Sequence, residues 1–142
     1  MSLYSIFWTV LGGTVALLGI DLYTGLNGKR IAHLVFVGFT VVGLVLSIVL
    51  AVRLGGDLVF DPTVQLVHRT LARSVVVLLL PIAASGVVIL TRASRGARAF
   101  HRRVAFFTVA VAVVALGTGL WMKSTGRPRS EVAGTPASAA AR

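Results

Sequence analysis

Apolar residues fall in four long blocks that short polar stretches separate. The blocks cover residues 3–26, 31–52, 67–91 and 101–122. Each block has the length that a helix needs to cross a hydrocarbon core of about 30 Å. The blocks lack the alternation that is typical of half-buried strands. The pattern predicts an all-α chain that folds as an integral membrane four-helix bundle over residues 1–122.

The amino-acid composition also favours a chain that is surrounded by a lipid bilayer. Of the 142 residues, 56% are hydrophobic and 13% are charged, and the mean hydropathy is +0.92. Ordinary soluble domains carry about 25% charged residues. Residues 123–142 are rich in Ala, Ser, Gly and Pro, which predicts a disordered tail. Pro81, inside the third block, predicts a kinked helix.

The net charge of the chain is +10, and the Lys and Arg residues that produce it lie mostly at the ends of the apolar blocks. This placement is typical of membrane flanks that contact lipid headgroups, so we expect no nucleic-acid partner. The basic residues divide equally between the two predicted sides. We expect the connections after the first and third spans to be cytoplasmic and both termini outward, because the third connection is rich in arginine. The opposite orientation stays open.

The chain has few residues and no motifs that could support catalysis. It has no cysteine, its one glutamate is Glu131 in the tail, and it contains no nucleotide-binding or hydrolase motif. Thiolate metal sites and cysteine nucleophiles are therefore excluded. We expect a protein that is not an enzyme.

The three histidines, His33, His68 and His101, lie at the starts of the second, third and fourth spans. Asp21 and His33 are equally far from the first turn, and His101 approaches the same membrane face. Ionisable groups inside membrane spans usually have a partner and a function. His33 and His101 are therefore candidate ligands of haem b, and Asp21, His33 and His101 of copper. His68 approaches the other face and is a further candidate metal ligand. A packing or interfacial role stays open for all four residues.

The third and fourth spans share a pattern at a constant offset of 33 residues. Each begins with His-Arg, has Ala four residues after the histidine, and ends in Ser/Thr-Gly: His68-Arg69, Ala72 and Ser85-Gly86 correspond to His101-Arg102, Ala105 and Thr118-Gly119. The small residues near the far end of each span predict close helix packing.

These motifs resemble the CtaM-like family of small four-span membrane proteins over about residues 15–122. Similar segments there read H-x-x-L-A on the third helix and H-R-x-x-A-x-x-T, then T-G, on the fourth, and His33 fits the second-helix histidine of the family. The resemblance implies a role in maturation of haem–copper terminal oxidases. A less specific resemblance is to four-helix haem-b membrane cytochromes.

The leading hypothesis is a multi-pass protein of the prokaryotic cytoplasmic membrane that assists assembly or stability of a respiratory or other haem-bearing complex. Its expected partners are membrane lipids and a membrane protein such as a terminal oxidase. Two alternatives stay open: a haem-b electron-transfer subunit, and a purely structural small subunit of a larger membrane complex.

Overall fold

The structure is a computed structural model that describes residues 1–56, 58–92 and 94–129. Its elements are α1 (Leu3–Leu26), α2 (Arg30–Gly55), β1 (Leu58–Val59), α3 (Pro62–Arg92), α4 (Arg95–Thr125) and β2 (Arg127–Pro128). The strands β1 and β2 pair as a two-stranded sheet. The four helices confirm the prediction of a helical chain. All four are long and apolar enough to cross a membrane.

Side-chain caps explain where α1, α3 and α4 begin, whereas α2 has no such cap. The Ser2 hydroxyl accepts a hydrogen bond from the backbone of Ser5 at 3.1 Å, and Ser94 caps α4 in the same way. At α3, Asp61 Oδ1 accepts from the backbone N–H of Thr63 at 2.8 Å. Pro62 therefore occupies the first position of a helix, where its missing N–H costs nothing.

The helices differ in length from three of the four predicted spans. Only α1 coincides with its block, and α3 begins five residues earlier than expected because Asp61 and Pro62 start a helix rather than end a loop. The fourth helix begins at Arg95 and continues to Thr125, so the first residues of the predicted tail are helical. The rest of that tail, from residue 130 on, lies outside the described residues.

The helices form two antiparallel hairpins, each within a compact unit of its own. The first unit is Met1–Leu58 and holds α1 and α2, which we call the first hairpin. The second begins at Val59 and holds α3 and α4, the second hairpin. Gly28 has φ +68° in the turn of the first hairpin, a conformation that glycine adopts without strain. The assembly of both hairpins into one bundle stays a prediction.

Polar residues dominate the buried positions. Among the described residues the buried ones are Thr14, Asp21, Thr24, Ser47, Ser85 and Thr108 on the polar side, and Val75, Ala115 and Met122 on the apolar side. Large apolar side chains point outward instead, such as Val77 at 62% and Phe107 at 60% exposure. This arrangement suits helices that pack through small and polar residues while their apolar faces meet lipid.

Close packing in the first hairpin is clearest at Gly43. The Thr14 hydroxyl lies 3.4 Å from the Ser47 hydroxyl, and a Cβ added at Gly43 would meet Thr14 Oγ1 at 2.5 Å. Only glycine lets the two helices approach this closely.

Pro81 lies inside α3 in the second hairpin, and the helix continues through it.

Candidate functional site

Asp21 is buried in the first hairpin, and only one of its carboxylate oxygens accepts a hydrogen bond from the described residues. Its side chain is 9% exposed. Oδ2 accepts a hydrogen bond from the Thr40 hydroxyl at 2.7 Å, whereas Oδ1 is buried and has no hydrogen-bond partner among the described residues. An unsatisfied oxygen of a buried charged group costs free energy, so Oδ1 is an acceptor that a cation or a hydrogen-bond donor would stabilise.

His33 is an ionisable residue close to that oxygen. Its Nδ1 lies 4.0 Å from Asp21 Oδ1 and 3.1 Å from the Asp21 carbonyl oxygen. Since a carbonyl can only accept, Nδ1 carries the proton and donates it to the backbone. The His33 ring also lies against Gly25, where an added Cβ would come within 3.2 Å of Cε1.

Histidines make the same kind of contact in the second hairpin. His101 Nδ1 lies 3.1 Å from the Ile82 carbonyl oxygen and 2.9 Å from the Ser85 hydroxyl. His68 Nδ1 lies 3.0 Å from the Ala115 carbonyl oxygen and 3.2 Å from the Thr118 hydroxyl. Each histidine therefore joins its own helix to the neighbouring one.

All three histidines follow one geometric rule, and we call each instance a histidine clamp. Nδ1 donates to the carbonyl oxygen of the residue four positions before a glycine, and the ring lies beside that glycine. The residue just before the glycine is Ser or Thr, and its hydroxyl donates to the same carbonyl oxygen. The three clamps are His33 with Thr24-Gly25, His101 with Ser85-Gly86, and His68 with Thr118-Gly119.

The clamps fix the tautomer of each histidine. When the ring is neutral and Nδ1–H is donated to a carbonyl, the lone pair resides on Nε2. Metal-binding histidines usually hold their second nitrogen in this way, against a carbonyl or a carboxylate. The same bond also holds two helices together, so the clamps are compatible with a ligand role and with a packing role.

The clamps also set the distances between the histidines. In the second hairpin His101 and His68 lie at opposite ends, because 18 residues of α4 separate His101 from Gly119, the residue that His68 contacts. At a rise of ~1.5 Å per residue they are about 27 Å apart along the axis, too far to share one iron atom.

The structure brings Asp21 and His33 together, whereas His101 belongs to the other hairpin. Their convergence with His101 stays a prediction. Within neither hairpin do three His, Asp or Glu side chains of the described residues come close enough to hold a metal ion. Near the turn of the same hairpin as Asp21, Lys29 lies over the Tyr23 ring with Nζ 5.3 Å from its centroid.

Sequence reasoning misses Thr40 and Thr24. Thr40 lies seven residues after His33, two helical turns along the same face of α2, and this spacing is a signal that could have identified it. In the sequence, Thr24-Gly25 reads as the start of a turn. In the structure, the His33 ring lies against Gly25, and the Thr24 hydroxyl donates to the Asp21 carbonyl oxygen that His33 also contacts.

No protein-family model, curated protein or solved structure matches this chain. The resemblance to the CtaM-like family therefore stays a prediction.

Proposed function

We propose that this chain is a multi-pass membrane protein of the prokaryotic cytoplasmic membrane that assists assembly or stability of a respiratory or other haem-bearing complex. In this proposal the protein is not an enzyme. It holds a metal through the Asp21 and His33 side chains. The observation that carries the proposal is the buried Oδ1 of Asp21, which has no hydrogen-bond partner among the described residues and lies 4.0 Å from His33 Nδ1.

The donor set of the first hairpin fits a small metal ion such as copper. Asp21 Oδ1 and His33 Nδ1 lie 4.0 Å apart, and two metal–ligand bonds of about 2.0–2.2 Å span at most about 4.4 Å, so one ion can contact both atoms only at a wide ligand–metal–ligand angle. Thr40 holds the other carboxylate oxygen and so orients Asp21. A metal bound at Nδ1 would replace the proton there, so His33 would give up its hydrogen bond to the Asp21 carbonyl oxygen when the metal binds.

Two protein ligands leave other positions on the metal open. A partner protein, or His101 of the second hairpin, would supply the remaining donors. An incompletely ligated ion suits a protein that passes a metal to a larger complex. The haem-b hypothesis instead needs His33 and His101 as two axial ligands of one iron.

The test measures the haem-bearing complex in cells that lack the native chain and carry a variant. In Asp21→Asn, His33→Ala and His101→Ala cells, we expect a reduced amount of oxidase and a reduced haem absorption in isolated membranes. His68→Ala is the matched control, because it removes a clamp at the other end of a hairpin. An unchanged oxidase amount and spectrum in all three site variants, with each variant present in the membrane, would overturn the proposal.

A purely structural small subunit is the second candidate. Its support is that the histidine clamps already employ Nδ1 of every histidine in helix packing. This candidate predicts that the amount of oxidase falls with the stability of the affected hairpin, so that His68→Ala lowers it as much as His33→Ala does.

A haem-b electron carrier predicts a coloured purified protein whose Soret band disappears in His33→Ala and His101→Ala.

A further inference from the structure

A groove with one polar end runs along the outside of the second hairpin. Its volume is about 540 Å³. Thr70, Arg73 and Ser74 line one end together with Leu71, and the rest of the lining is apolar: Val77, Leu78, Phe107 and Val111. The polar lining residues therefore lie nearer the start of α3, and the lining farther along the helix is apolar.

The register of the hairpin gives the depth of Arg73. His68 lies opposite Gly119 and His101 opposite Gly86, which aligns Pro62 at the start of α3 with Thr125 at the end of α4. Arg73 is 11 residues beyond Pro62, about 16 Å along the axis. A helix of 31 residues is about 46 Å long and exceeds a hydrocarbon core of about 30 Å by about 8 Å at each end. Arg73 then begins about 8 Å inside the core.

No carboxylate of the second hairpin can neutralise Arg73. Residues 62–129 contain no Asp and no Glu. Asp61 accepts hydrogen bonds from the first backbone N–H groups of α3, 12 residues away from Arg73. A guanidinium at this depth reaches the interface along its flexible stem and pairs there with an anion, and its planar fork matches a phosphate.

We propose that this groove binds an anionic glycerophospholipid. The phosphate contacts Arg73 beside the Thr70 and Ser74 side chains, and one acyl chain lies along Val77 and Phe107. Charge complementarity and the change from polar to apolar lining commit the site to an amphiphile rather than to a free anion. The proposal rests on the membrane location stated above and is independent of any metal at Asp21.

The test titrates the detergent-purified full chain with phosphatidylglycerol and with phosphatidylcholine, and counts bound lipid by native mass spectrometry. We expect tighter binding of phosphatidylglycerol and about fivefold weaker binding in Arg73→Gln, which corresponds to about 1 kcal/mol. Arg69→Gln is the matched control, because it removes the same charge one turn away, outside the groove lining. It should change binding less than twofold.

A second variant tests the apolar part of the site. Val77→Trp fills the groove and should weaken binding while Arg73 is intact, and circular dichroism checks that each variant stays helical. If Val77→Trp does not fold, the two arginine variants decide. Equal affinity for both lipids, equal losses in both arginine variants, or full competition by inorganic phosphate would overturn the proposal. A chain that does not fractionate with membranes would instead remove the membrane location itself.

Discussion

Gly119 gives the sharpest test of the histidine clamps. In Gly119→Ala the added Cβ would lie 2.9 Å from Cε1 of His68 and 3.4 Å from its Nδ1. Ordinary carbon contacts are about 3.5–4.0 Å, so the ring must retreat by about 0.6 Å or more. The bond from Nδ1 to the Ala115 carbonyl oxygen, now 3.0 Å, would then exceed hydrogen-bonding distance.

Three contributions set the magnitude for Gly119→Ala. Overpacking costs about 1–3 kcal/mol and the lost hydrogen bond about 1 kcal/mol, whereas replacing a helical glycine by alanine gains about 1 kcal/mol. The expected net loss in the free energy of unfolding is about 1–3 kcal/mol. Gly117→Ala is the matched control, because a Cβ there meets nothing within 4 Å. It should gain up to about 1 kcal/mol.

The assay is denaturant unfolding of both variants in the same detergent, followed by circular dichroism. A separation of about 1–4 kcal/mol between the variants is expected from these contributions. The nitrogen chemical shifts of His68 should report the Nδ1–H tautomer in the wild type and a disturbed ring in Gly119→Ala. Equal stabilities of the two variants would refute the contact between His68 and Gly119.

Two further predictions concern the first hairpin. Gly43→Ala should destabilise it by about 1–3 kcal/mol, because the new Cβ would meet Thr14 Oγ1 at 2.5 Å, whereas Gly38→Ala, with nothing within 4 Å, should be neutral or stabilising in the same unfolding assay. Thr40→Val removes the one hydrogen bond that the described residues donate to the Asp21 carboxylate and should cost about 1–3 kcal/mol, and Asp21→Asn should recover part of that loss by removing the charge. A Thr40→Val protein as stable as the wild type would contradict the described pairing.

The four helices are predictable because apolar runs long enough to cross a bilayer leave few alternatives. Their ends are harder to predict. Asp61-Pro62 reads equally well as a loop and as a cap followed by the first helical residue, and only the backbone shows that Asp61 Oδ1 meets the N–H groups of α3. Arg95 likewise starts α4 within a polar stretch because Ser94 caps it.

The candidate site is only partly predictable. Equal distance from the turn places Asp21 and His33 at one depth, and the structure has their side chains 4.0 Å apart. The clamps themselves are not visible in the sequence, because each joins residues 8 to 51 positions apart, and the rotation of two helices decides whether they meet. The repeated Ser/Thr-Gly pairs indicate close packing, but nothing in the pattern names a histidine as the group that packs there.

The most direct test of the proposed metal site is the metal content of the detergent-purified chain, measured together with its visible spectrum. The wild type, loaded with copper and freed of loosely bound metal, should retain one ion per chain. Asp21→Asn and His33→Ala should lose it, and His68→Ala should keep it. A wild-type chain without metal or haem, or equal retention in all variants, would contradict a metal site at Asp21 and His33.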